Sequence, residues 1–213
     1  PRLATQLEVR PQTESSEFRA QLSYAGSLHS YEGLDLLLCA LHLLRYEGLD
    51  DKLDLVGGHV LGATSSTAAL SRLKRIAKQY RIDDLVTFYG SVPPHAAEGV
   101  IRESTLFIVP RLSNLITESV PPIKTFTALG LGVPLVTSDV APLKAIVAES
   151  GAGVTFAADS AEDLSGVLKR VMRDPQMIAE MGRRGRNFVR RKQNCHQVAS
   201  PLVDRLGDLG ISP

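Results

Sequence analysis

At 213 residues the chain is long enough to bury a sizeable core, as one large domain or two small ones. Apolar residues make up 44% and charged residues 22%, a globular balance, and no apolar run reaches the roughly 18 residues that a membrane span needs. The net charge of +1 is too small for bulk electrostatics to point to a polyanion, so nucleic-acid binding gets no support.

Residues 1–18 are polar, with Pro11 and the run Gln12–Glu17 breaking any period, and read as a lead-in or interdomain linker. The first residue is Pro1 rather than Met, which suggests a fragment or a processed product. From there strands and helices alternate. Ala20–Ala25 reads as a strand stopping at Gly26, and Gly33–Leu44 as a half-buried helix. Leu53–Val56 is a strand running into Gly57-Gly58, followed by an amphipathic helix over Ser66–Tyr80. Leu85–Tyr89 is a strand, Pro94–Glu103 a short helix, and Leu106–Val109 an apolar strand ended by Pro110. Strand Val133–Thr137, helix Pro142–Glu149 and strand Gly153–Phe156 follow. Ser160-Ala-Glu-Asp163 is a capping start for a helix running to Arg173. The pattern predicts a six-stranded, doubly wound parallel sheet of Rossmann-like type with helices on both faces, over residues 19–192.

Asp174–Arg191 reads as a basic helix, and residues 193–213 as a further helix and tail. Six positive charges fall between Gly182 and Lys192. Contact with anionic lipid headgroups is one reading of them, and a solvated helix face with only Phe188 and Val189 as core contacts is the simpler one. Cys39 and Cys195 show neither CxxC spacing nor a neighbouring histidine cluster, and are expected to be free thiols of a reducing, cytoplasmic compartment. No HExxH or similar metal pattern is present. A GxGxxG fingerprint, a GxxxxGK[ST] phosphate loop and a Gly-x-Ser-x-Gly elbow are also missing, which takes weight from dehydrogenase, P-loop and hydrolase readings.

The chemistry gathers in Thr105–Asp139. In an open α/β sheet the loop beyond the carboxyl end of a strand is the usual ligand crevice, and the loop after Val109 takes that position. Thr117 and Ser119 are expected to cap a helix with Pro121 and Pro122 in its first turn, pointing free amides at the crevice, where they favour a phosphate. Arg111 and Lys124 add cationic donors, and Glu118 is a lone acceptor among them. A capped helix with a surface ion pair accounts for the same residues equally well.

At these residues the chain resembles the donor-binding core of retaining glycosyltransferases of the GT-B fold, of the family 4 or group 1 type. Their common pattern places two Glu residues around the helix start, ahead of Ala-x-x-x-Gly-x-Pro-Val. Here the tail is Ala128-Leu-Gly-Leu-Gly132-Val-Pro134, and Thr127 stands where the second Glu belongs. A bacterial sub-branch reading Thr-Glu-x-Val-x-Pro-x-Lys is more similar still, through Thr117, Glu118, Val120, Pro122 and Lys124. The turn Tyr24-Ala-Gly26-Ser27 through Glu32-Gly33-Leu-Asp35 resembles the family's first glycine turn, with Ser27 and Glu32 in the places of an Arg and a Lys that reach the diphosphate. Leu55-Val-Gly57-Gly58-His59 and Val86-Thr-Phe-Tyr-Gly90-Ser-Val92-Pro93 resemble two further segments, the latter facing the nucleobase.

The resemblance implies one half of a GT-B fold that binds a nucleoside diphosphate sugar and no separate cofactor or metal. It assigns catalysis to Glu118, Lys124 and Arg111. Donor binding falls to Gly26, Ser27, Gly57, Gly58, Val92, Thr117, Ser119 and Thr127. It also implies an amino-terminal acceptor domain, in the same or another chain, for which 213 residues leave no room. Two alternatives stand beside it: a scaffold module that kept the fold without the chemistry, and a GT-B sugar epimerase.

Overall fold

The computed structural model describes residues 20–49, 51–57 and 65–192. The lead-in over 1–18, Gly58 and the C-terminal segment 193–213 lie outside the described residues. Six parallel strands form one sheet: β1 (Gln21–Gly26), β2 (Lys52–Gly57), β3 (Val86–Gly90), β4 (Leu106–Val109), β5 (Leu135–Ser138) and β6 (Gly153–Phe156). β4 and β5 are buried at every position, as strands covered on both faces must be. The helices are α1 (Leu34–Tyr46), α2 (Ser65–Gln79), α3 (Pro94–Glu103), α4 (Lys124–Leu131), α5 (Ala141–Ser150), α6 (Ala161–Met172) and α7 (Pro175–Lys192).

The spatial order β3-β2-β1-β4-β5-β6 is that of a doubly wound Rossmann-like sheet. Two cores follow from it. On one face α1, α2 and α6 bury Leu37, Leu41, Leu73 and Leu164 against Leu22, Leu53 and Ile108. On the other, α3, α4, α5 and α7 bury Ile101, Leu129, Leu143 and Phe188 against Phe107, Val109 and Leu135. Each such side chain contributes roughly 1.5–3 kcal/mol when fully removed from water. Between β1 and β4 the winding reverses direction, and the loops leaving the two strands open a crevice beyond their carboxyl ends.

α6 starts as its sequence signals: Ser160 caps it by accepting from the Asp163 amide at 3.1 Å. α7 corrects the expected narrow core stripe. Met181, Gly182 and Gly185 are buried together with Phe188 and Val189, a full helical face. Gly182 and Gly185 let the helix close in, since a Cβ would come within 2.4 Å of the Gly132 carbonyl and 2.9 Å of Leu129 respectively. The basic face is partly engaged: Arg183 and Arg184 pair with Glu180, and Lys192 pairs with Glu149. No helix among the described residues is long and apolar enough to cross a membrane.

Candidate functional site

The turn leaving β1 is held by its glycines. Gly26 pairs with Gly57 at the ends of β1 and β2, so close that a Cβ on Gly57 would lie 2.2 Å from the Gly26 carbonyl oxygen. After Gly26 the chain makes one 3-10 turn, Ser30–Glu32, ended by Gly33 in the left-handed region at φ 70°. A Cβ on Gly33 would sit 1.8 Å from the Pro110 carbonyl oxygen, so only glycine permits the turn to seat on the loop after β4. The Leu112 amide donates to the Tyr31 carbonyl at 2.9 Å and closes the seam. This docking carries Glu32 inside, where it is 2% exposed.

Arg111 and Lys124, which the sequence assigns to the crevice, converge there on Glu32. The Arg111 Nη2 donates to Glu32 Oε1 at 3.1 Å and its Nη1 to the Val120 carbonyl at 2.8 Å. Lys124 Nζ pairs with Glu32 Oε2, donates to the Tyr24 hydroxyl at 3.0 Å and lies 4.3 Å from the Tyr24 ring centre. Tyr24 in turn donates to the Ser27 carbonyl at 2.5 Å. The ion-paired side chains are 11% (Arg111), 14% (Lys124) and 3% (Glu32) exposed. Burial pushes the Lys124 ammonium down to about 8, against the pull of Glu32. Burial pushes the Glu32 carboxyl up, but Lys124 and Arg111 together outweigh it and hold it below the usual carboxylate range. Burial and the Glu32 charge raise the Tyr24 phenol well above its ordinary value.

The remaining acid of the crevice is held differently. Glu118 is exposed, and its Oε2 accepts from the Ala141 amide at 2.8 Å while Oε1 accepts from Ser113 Oγ at 2.8 Å. The bond from Ala141, then that from Ser113, lowers its pKa. Glu118 thus ties the loop after β4 to the first turn of α5. The expected helix start at Thr117–Ser119 does not occur: residues 114–119 form turns and α4 begins at Lys124. Asn114 caps a single turn instead: its Oδ1 accepts from the Ile116 and Thr117 amides, and the Glu118 amide donates to its carbonyl at 2.9 Å. Pro121 and Pro122, which lack amide protons, stop that turn from continuing into α4. The Thr117 hydroxyl donates back to the Leu112 carbonyl at 2.6 Å and is fully buried, while Ser119 Oγ donates to the Leu115 carbonyl at 2.7 Å.

Thr127 lies one turn into α4 and lines a shallow groove with Glu98, Ile123 and Phe126. Val92, between β3 and α3, is half-buried and packs against the core of that face. Ser27 is half-buried on the rim of the first turn. Gly26, Ser27, Arg111 and Lys124 are therefore brought together, Thr127 and Val92 sit on the α3–α4 side, and Glu118 faces the α5 side. Sequence reasoning missed the roles of Glu32 and Tyr24. The available signal was an acid flanked by Tyr31 and Gly33 in a turn with no basic neighbour to solvate it.

A sheet wound in this order, with cations at its switch point, defines an α/β domain of the kind that binds ligands beyond its strand ends. The sequence profile described as "Glycosyl transferases group 1" matches residues 5–188, and the chain belongs to that family. It is 28% identical over 187 residues to a D-inositol 3-phosphate glycosyltransferase of Gordonia bronchialis, covering 86% of this chain and 39% of that protein. Among solved structures it is similar to sucrose-phosphate synthase of Thermosynechococcus elongatus (TM-score 0.72, 22% identity, 90% of this chain and 45% of that one). It is likewise similar to HepE of Anabaena, solved with UDP-glucose (TM-score 0.74, 13% identity, 89% and 49%). The chain spans less than half the length of each of these relatives.

Proposed function

We propose that this chain is the donor half of a glycosyltransferase that moves a sugar from a nucleoside diphosphate sugar to an acceptor with retention at the anomeric carbon. The observation that carries the reading is the pair Arg111 and Lys124, held at the β1–β4 switch point beside the start of α4. Departure of a diphosphate leaves an oxocarbenium-like sugar and growing negative charge on the leaving oxygens. Fixed cations and helix amides stabilise that charge without having to reorganise at the moment of reaction. Glu118 is placed in this reading to accept from sugar hydroxyls at the outer edge, and Val92 to present its backbone to the base. Thr127 is left with a single hydroxyl for the ribose. HepE of Anabaena, to which the chain is similar, has been solved with UDP and with UDP-glucose, which supports a nucleoside diphosphate sugar of the uridine class as the donor. An acceptor domain would come from a further part of the protein or from another chain, as the length of the relatives suggests.

A scaffold role is the second reading, and Thr127 in place of an expected carboxylate favours it. Calorimetric titration of the chain with UDP, GDP, ADP and their sugar conjugates separates the two. Saturable binding of one nucleotide, weakened by Lys124→Ala, is the expected result. No binding at millimolar nucleotide would overturn the donor reading and leave the scaffold.

A further inference from the structure

Glu32 touches Arg111 through one carboxylate oxygen and Lys124 through the other, so it spans the two cations as two oxygens of a phosphate would. Each cation also has a second contact. The Val120 carbonyl fixes Arg111, and the hydroxyl and ring face of Tyr24 fix Lys124. Arg111 keeps capacity for another acceptor, because no partner among the described residues reaches its buried Nε. The carboxylate itself is carried on a single 3-10 turn. Two cations this deeply buried repel each other when nothing negative lies between them.

We infer that Glu32 is a resident counter-ion: it keeps Arg111 and Lys124 assembled until a ligand arrives and then gives up its place to that ligand's phosphate. The inference rests on the donor reading above and adds a positioning residue to it. Its consequence is opposite in sign to that of a merely structural ion pair. A carboxylate that competes with the ligand weakens anion binding, so removing its charge while keeping its shape should tighten that binding.

The test is calorimetry of the chain at pH 7 with inorganic pyrophosphate, on wild type, Glu32→Gln and Glu32→Asp, with a parallel titration of UDP. Glu32→Gln is expected to bind pyrophosphate about tenfold tighter or more, a modest share of one charge interaction at this separation. Glu32→Asp, which retains the competing charge, is expected to stay near wild type. Equal or weaker binding by a folded Glu32→Gln overturns the inference. If circular dichroism shows that Glu32→Gln does not fold, a crystal structure of wild type with pyrophosphate decides. Separation of Glu32 from both cations beyond about 4 Å supports exchange, and an unchanged ion pair overturns it. The UDP arm keeps the two readings apart. UDP binding that Glu32→Gln does not tighten removes the counter-ion and leaves the donor site, whereas tightened pyrophosphate binding without any nucleotide binding keeps the counter-ion and removes the donor site.

Discussion

The turn after β1 and the outer face of α6 both hold a glutamate against a lysine, Glu32 with Lys124 and Glu47 with Lys169. The first pair is 3% and 14% exposed, the second 44% and 35%. In water-accessible surroundings the charges are solvated with or without each other, and the pair contributes little. In the crevice neither partner has that recourse, so each depends on the other. The same pairing contributes little on the exposed helix surface and much in the crevice. The difference lies in the seam between Gly33 and Pro110 that pulls the turn inward.

Disrupting that seam should have the largest effect. Gly33→Ala adds a Cβ 1.8 Å from a backbone oxygen at positive φ, with no flexible side chain to yield. We expect a loss above about 4 kcal/mol, at the extreme of single substitutions, by urea denaturation. Gly48→Ala is the matched control: φ is 82° but nothing lies within 4 Å, so about 1–2 kcal/mol is expected. Equal losses at the two sites would show that backbone conformation, and not the docked seam, sets the cost.

Glu32→Ala leaves two buried cations without their counter-ion and should cost roughly 3–5 kcal/mol in the same assay. A loss below about 1 kcal/mol would mean that the cations are far better solvated than their burial indicates.

The third prediction sharpens the contrast through pH. Lys124 faces Glu32, Tyr24 and Arg111, and its ammonium is lowered to about 8 from an ordinary 10.5. Below about 8 it is charged in both folded and unfolded chain, and above about 10.5 neutral in both. Between them the unfolded chain binds more protons, so this group's contribution to stability rises with pH. Pyrophosphate affinity should move the other way, falling about tenfold from pH 7 to 9 as the ammonium is lost. Titrations at pH 7, 8 and 9 check this, and a flat profile shows that Lys124 keeps its proton through pH 9.

The smallest effect belongs to the outer pair. Lys169→Ala is expected to change stability by less than about 1 kcal/mol, vanishing at high salt, by thermal denaturation with and without added chloride.

Local sequence carried much of the architecture. Short apolar runs such as Leu106–Val109, most of them closed by Gly, Pro or Ser, alternate with longer amphipathic stretches, and length together with flanking residues distinguishes buried strands from helices. Two details escaped it, the start of α4 and the breadth of the buried face of α7. At Thr117 and Ser119 the hydroxyls suited a helix cap, but Asn114 caps a single turn there, Pro121 and Pro122 interrupt it, and α4 starts only at Lys124. On α7 the buried face contains Gly182 and Gly185, and glycine carries no hydrophobic signal although its bareness is what admits the Gly132 backbone.

The sequence by itself determined the parallel, doubly wound sheet and the presence of Arg111 and Lys124 beyond a buried strand, because periodicity and loop position are local properties. Only the tertiary structure decided what those cations touch. Glu32 and Lys124 are brought together from 92 residues apart by the reversal of winding between β1 and β4. An ion pair of that separation leaves no periodic trace in the chain.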